Sequence, residues 1–135
     1  MAAPFQLNII TPERTFFSGE TTQLTVRTAA GDIGILANHT SLVAALPAGP
    51  MKVRMDNGEF RAAAVSGGLL KVGGNKATIL ATAVEWADEI DVEHAKRSAE
   101  DARQRLAAKE SKESMDRAEA KLKRALNRIN VSSMK

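Results

Sequence analysis

Phe5, Leu7 and Ile9 alternate with polar residues, Leu24 and Val26 with Thr25 and Arg27, and Met51, Val53 and Met55 with Lys52 and Arg54. A period of two puts one set of side chains on one face of a strand. Phe60, Ala62 and Ala64 follow Asp56-Asn57-Gly58. Such patterning on both sides of Asn-Gly predicts a hairpin. Gly73-Gly74-Asn75 predicts a second turn, between Leu69–Val72 and Ala77–Val84. Short strands interrupted this often predict an all-β sandwich or barrel.

After Trp86 the period changes. Ala95, Ala99, Ala102 and Leu106 recur at spacings of four, three and four, and Met115, Ala118, Leu122, Ala125 and Ile129 at three, four, three and four. These stripes predict two helices. Asp91 is the predicted cap of the first, with Glu93 at its positive dipole end. Polar Lys109–Ser114 is the predicted connection, with Ser111 or Ser114 capping the second.

Punctuation and charge change at the same place. All nine glycines lie between Gly19 and Gly74, all four prolines between Pro4 and Pro50, and no Gly, Pro or aromatic residue follows Trp86. Turn formers gather where a chain reverses, and their absence favours long helices. The expected boundary is near Glu89–Asp91, giving a β-sandwich domain over residues 1–89 and a two-helix hairpin over 90–135. Residues 1–90 carry seven Lys/Arg against eight Asp/Glu, a net −1; residues 91–135 carry twelve against eight, a net +4. The first helical stripe is mostly alanine. Burying a Leu contributes about 1.5–3 kcal/mol and an Ala much less. The hairpin is therefore expected to dock weakly, able to leave its site without unfolding its helices.

The chain has no cysteine and two histidines. That excludes a disulfide scaffold, a thiol nucleophile and a cysteine-based or multi-histidine metal centre. No apolar run approaches the roughly 18–20 residues of a membrane span, and the N-terminus is not expected to be a secretory signal. No phosphate loop or Gly-x-Ser-x-Gly elbow is present. Val65-Ser66-Gly67-Gly68 reads as a tight bend between two strands. Asp91, Glu93 and His94 are too few ligands for a metal, and read as a helix cap. His39 follows a glycine-rich loop without a nearby nucleophile, which favours a structural or interface role. Arg117, Lys121, Lys123, Arg124 and Arg128 form a basic run in which Glu119 is the one acid. Without stacking aromatics, such a run favours an acidic protein surface over nucleic acid. Two rival classes are an adaptor that binds nucleic acid through the basic tail and a hydrolase using Ser66 and His39.

Several stretches together resemble the ε subunit of bacterial F-type ATP synthase. They are Ile9-Ile10-Thr11-Pro12; Gly31-Asp32-Ile33-Gly34-Ile35-Leu36-Ala37-Asn38-His39 with Leu42; Ser66-Gly67-Gly68 with Leu70 and Val72; Thr78-Ile79-Leu80-Ala81 with Glu85; Ile90-Asp91; and Arg124-Ala125-Leu126-Asn127-Arg128-Ile129 with Val131. Their order and spacing cover essentially the whole chain. The resemblance implies a non-catalytic rotor subunit at the foot of the central stalk. It implies binding to the γ subunit and the c-ring, coupling proton-driven rotation to ATP synthesis. It further implies membrane contact only through the complex, at the cytoplasmic face of the bacterial plasma membrane. The hairpin would extend towards the catalytic α/β subunits and restrain ATP hydrolysis, with Lys121, Lys123, Arg124 and Arg128 as its inhibitory basic face.

Residue by residue, the resemblance places Asp32 towards the c-ring, His39 towards γ, and Ser66 in a second loop at the same end. It implies no metal and no cofactor. Some relatives bind ATP at the folded hairpin. The matching set here is Glu85, Asp91, His94, Arg124 and Arg128, expected to be a weak ATP site at most, because His94 replaces the motif arginine and Asp101 stands where some relatives have another. Ala37, Asn38 and Ser41 replace the commoner Pro, Gly and Pro of the hallmark loop.

Overall fold

The computed structural model describes residues 2–134. They form β1 (Phe5–Ile10), β2 (Thr15–Thr21), β3 (Leu24–Thr28), β4 (Gly31–Ile35), β5 (Leu42–Arg54), β6 (Phe60–Gly73), β7 (Lys76–Ala81) and β8 (Val84–Trp86). A 3-10 turn at Ala87–Glu89 leads to helices α1 (Val92–Ala108) and α2 (Lys112–Ser132). The strand order is β2-β1-β7-β6-β5-β3-β4, with β8 also on β6; β1 runs parallel to β7 and the other pairs are antiparallel.

Two long strands make this a β-sandwich. The first part of β5 pairs with the last part of β6, alongside β7, β1 and β2. The remaining halves of β5 and β6 pair with β3 and β8. The alternating residues meet between these layers: Leu7, Ile9, Leu24, Met51, Val53, Leu70 and Ile79 are all fully buried. Phe16 closes one side, its ring 4.8 Å from that of Trp86.

The predicted turns form at Asp56-Asn57-Gly58 and Gly73-Gly74-Asn75. The second puts Gly74 and Asn75 at φ 59° and 58°, a region open to Gly and tolerated by Asn. The Ser66-Gly67-Gly68 bend differs from the expectation. It lies inside β6 rather than between two strands. There β6 changes partner from β8 to β7, with Ser66 N–H donating to the Ala83 carbonyl at 3.0 Å and Thr82 N–H to that of Gly67 at 2.9 Å. Gly67 takes φ 110° at this kink.

The phase at Ala62 and Ala64 also needs correction. Ala63 and Val65 belong to the sandwich core, whereas Ala62 and Ala64 are buried with Ala87, Ile90 and Val131 on the other side. This stretch of β6 is covered on both faces because α2 lies against it.

In the helices, Asp91 caps α1 by accepting from His94 N–H at 3.0 Å. That bond holds the Asp91 carboxyl below its ordinary pKa. Lys109 ends α1 in the left-handed region at φ 50°. Ser111, not Ser114, caps α2 by accepting from Ser114 N–H at 3.0 Å, so the connection is Lys109–Ser111 and α2 starts earlier than expected. Ala95, Ala99 and Ala102 are buried on α1, and Ala118 and Ala125 on α2. Polar contacts reinforce this small-residue seam. Asp101 takes a hydrogen bond from Lys121 and pairs with Arg105 at 3.1 Å, and the Lys121 bond holds its carboxyl below the ordinary range.

A chain ending at Glu89 is expected to keep the strand-rich fold, since the large core residues lie within residues 5–86. It exposes Ala62, Ala64 and Ala87, which remove little apolar area. Circular dichroism and amide NMR dispersion check this. A disordered spectrum would show that the hairpin is required for folding.

Candidate functional site

The polar residues of α2 converge on the outer face of the sandwich. Asn127 directs the two N–H donors of its side-chain amide onto two strand carbonyls, Gly49 at 3.1 Å and Val65 at 3.2 Å. One residue on, Arg128 makes a two-pronged pair with Glu85 of β8: Nε to Oε1 at 2.6 Å and Nη2 to Oε2 at 3.1 Å. Such fork-to-carboxylate geometry is the stronger form of ion pair. The Arg128 side chain is 16% exposed, so solvent screens this pair less than the other ion pairs here. Its third nitrogen, Nη1, lies 3.0 Å from His94 Nδ1. These contacts border a cleft of about 370 Å3 lined also by Ser66, Ser98, Lys121 and Arg124. The cleft can hold a small anion or polar group beside Lys121 and Arg124, but Arg128 is already engaged.

Asp32 lies on β4 rather than in a loop, directly opposite Arg27 on β3. Arg27 Nε donates to Asp32 Oδ1 at 2.9 Å. That bond holds the Asp32 carboxyl below its ordinary pKa and raises Arg27. His39 sits in the β4–β5 connection, with Nδ1 2.7 Å from the Thr40 carbonyl. The connection is anchored to the β6–β7 turn through Asn38 N–H and Asn75 Oδ1 at 2.8 Å. Asn38 has φ 60°, so it fills a position that glycine commonly takes without leaving the tolerated region.

A third surface is apolar. Ile10 pairs with Leu80, Leu80 with Leu69, and Leu69 with Ala45, forming a row across four strands. Ile10, Leu69 and Leu80 are 38%, 41% and 51% exposed, whereas their chain neighbours Ile9, Leu70 and Ile79 are fully buried. The row lies on the layer opposite the one that α2 covers.

Sequence comparisons give these surfaces a context. The family described as ATP synthase, Delta/Epsilon chain, beta-sandwich domain matches residues 4–87, and its long alpha-helix domain matches residues 88–133. The ATP synthase epsilon chain of Ruminococcus albus is 46% identical over 134 residues, spanning 98% of this chain and 99% of that one. That of Caldicellulosiruptor bescii is 43% identical over 130 residues, spanning 96% and 94%. This chain belongs to the ATP synthase epsilon-chain family. It is a non-catalytic subunit of the central stalk of F-type ATP synthase. Two solved assemblies share the fold. A chain of the Euglena gracilis mitochondrial ATP synthase (OSCP/F1/c-ring) has a TM-score of 0.84 at 21% identity, covering 100% of this chain and 84% of its own length. A chain of the Tetrahymena thermophila central stalk/c-ring has 0.71 at 16%, covering 94% and 95%.

Within this epsilon chain, Glu85, His94, Arg124 and Arg128 come together at one cleft, with Asp91 beside it as the α1 cap. Ser66 joins them. It is a mid-strand residue at the hairpin cleft, not a member of a second loop beside His39, so a Ser66–His39 hydrolytic pair has no geometric basis. The basic set is divided. Lys121 and Arg128 are engaged by Asp101 and Glu85, whereas Lys123 pairs with Glu119 on the exposed side of α2 at 3.3 Å.

Two groups lie outside the candidate residues named from the sequence. Asn127 looks like an ordinary polar helix position, and its role depends on carbonyls 62 and 78 residues away. The apolar row does leave a signal: Ile9-Ile10, Leu69-Leu70 and Ile79-Leu80 are doublets where strict alternation calls for one apolar residue.

Proposed function

We propose that this epsilon chain is anchored in the stalk by its sandwich and regulates ATP hydrolysis with its hairpin. The γ subunit takes the apolar row of Ile10, Leu69, Leu80 and Ala45 together with His39, and the c-ring takes the end bearing Asp32. A row on the layer opposite the helices stays available whether the hairpin is docked or lifted, as a permanent anchor requires. The hairpin alternates between the docked state and an extended one that reaches the catalytic α/β subunits and restrains hydrolysis.

The observation that carries this reading is the way α2 is held. Its attachment to the sandwich rests on Asn127, on the Arg128–Glu85 pair and on a small cluster around Val131. The helix-to-helix seam is made mainly by alanines. Polar contacts exchange readily for other polar contacts, whereas a large apolar interface does not.

Charge reversal at Lys121, Lys123, Arg124 and Arg128 is the test. Exposed pairs are worth about 0–1 kcal/mol each, so the change acts through all four together. The assembled enzyme carrying the quadruple variant is expected to hydrolyse ATP at least about twofold faster than wild type. Charge reversal at exposed Asp56 and Glu59, in the β5–β6 connection and outside the proposed γ and c-ring contacts, leaves the rate unchanged. Undiminished inhibition by the quadruple variant and also by reversal of Lys123 and Arg124 alone, neither of which is paired to the sandwich or to α1, would show that charge does not hold the extended state.

A further inference from the structure

The Arg128–Glu85 pair has a third member, the imidazole of His94. We infer that His94, Arg128 and Glu85 form a pH-sensitive latch that holds the hairpin on the sandwich at neutral and alkaline pH and loosens on acidification. The inference rests on the mobile-hairpin reading above.

Arg128 Nη1 is 3.0 Å from His94 Nδ1. A guanidinium only donates hydrogen bonds. Nδ1 must therefore accept, and the ring is the neutral tautomer carrying its proton on Nε2. Protonation removes that acceptor. The imidazolium then either faces Arg128 donor to donor or competes with it for Glu85, and both outcomes weaken the Arg128–Glu85 pair.

The surroundings set the sign. From α2, Lys121, Arg124 and Arg128 face the cleft. From β8 comes Glu85, and β6 offers the uncharged Ser66. On α1 itself, Asp91 interacts favourably with His94 and with Arg97. Glu93 and Lys96 pair with each other at 3.8 Å. Asp91 stays beside His94 whether or not α2 is docked, because it is the N-cap three residues before it. In the open state α2 parts from α1 along the alanine seam as well as from the sandwich, so Lys121, Arg124 and Arg128 face His94 only in the docked state, where Glu85 and Asp91 oppose them. Docking uses Nδ1 as an acceptor, so a proton there costs a docked contact. The latch is complete above the range in which a histidine titrates and weakens as pH falls through it.

The chain has no cysteine, so a single thiol can report opening. Ala64 is 1% exposed beneath α2, and Ala64→Cys is shielded while the hairpin is docked. Its reaction with dithiodipyridine is measured at pH 8 and pH 5.5 in the full chain. Each rate is divided by that of the same protein in denaturant at the same pH. This window stays above the ordinary carboxylate range. Acidification is expected to raise the relative rate about two- to fivefold, the scale of a partly exposed ionic contact. His94→Gln, whose amide oxygen accepts from Arg128 at either pH, is expected to remove the rise. Glu85→Ala is expected to react faster at both pH values. A flat wild-type profile with a fast Glu85→Ala variant overturns the pH latch alone, as does an undiminished rise in His94→Gln. A thiol shielded in wild type at both pH values and in Glu85→Ala overturns the mobile hairpin and the latch together.

Discussion

Gly68→Ala is expected to destabilise the protein by about 3–5 kcal/mol, a large part of the roughly 5–15 kcal/mol that holds an ordinary domain together. Gly68 is flanked on both sides, pairing with Leu46 of β5 and Ala81 of β7. A Cβ there would lie 2.2 Å from the Leu80 carbonyl oxygen and 2.8 Å from the Ala81 Cα. Both are backbone atoms of a paired strand, so no side chain can swing aside. Relief requires β7 to move and its ladder to break just where β6 passes between layers. Gly34→Ala is the control, because a Cβ there meets nothing within 4 Å; its expected effect is below about 1 kcal/mol. Urea midpoints at equal slope measure both. Equal midpoints for Gly68→Ala and wild type would show that the close approach is not part of the native structure.

The same glycine shows why part of the fold is legible from sequence and part is not. Leu24-Thr25-Val26 and Asp91-Val92-Glu93-His94 carry their structure locally, in alternation and in a cap, and both form as expected. Gly67-Gly68 does not, because glycine serves equally well in a turn and at a close crossing of backbones. Only the pairing of β6 with both β5 and β7 distinguishes the two. Ala62-Ala63-Ala64-Val65 has no alternation to fix its phase, and α2, distant in sequence, decides which alanines face outwards. The candidate site is of this second kind. Glu85, His94 and Arg128 lie on three elements and have no mutual spacing rule. Family resemblance grouped them, but Ser66 joins the cleft, and Asn127 the attachment of α2, only through the folded chain. The doublets Ile9-Ile10, Leu69-Leu70 and Ile79-Leu80 lie between the two cases. Each is visible locally, but their alignment into one row depends on strand register.

Removal of residues 91–135 is expected to raise ATP hydrolysis by the assembled enzyme roughly fivefold or more, the lower range of ordinary coupling free energies, while proton pumping remains coupled to it. The two activities separate because they use different surfaces. The apolar row, Asp32 and His39 lie within residues 10–80 and survive the deletion. The proposed inhibitory contacts all lie on α2. The deletion also removes Asn127, Arg128 and Val131, so it abolishes the docked and extended states together. Charge reversal instead disturbs both states without removing the helix. The deletion therefore gives the upper limit of hydrolysis and the quadruple reversal falls at or below it. Membrane vesicles containing the truncated chain are tested for ATP-driven acidification and for phosphate release. Unchanged hydrolysis across nucleotide concentrations would remove inhibition from this hairpin. A loss of acidification with normal hydrolysis would mean that residues 91–135 also hold the rotor together, contrary to the division of surfaces proposed here.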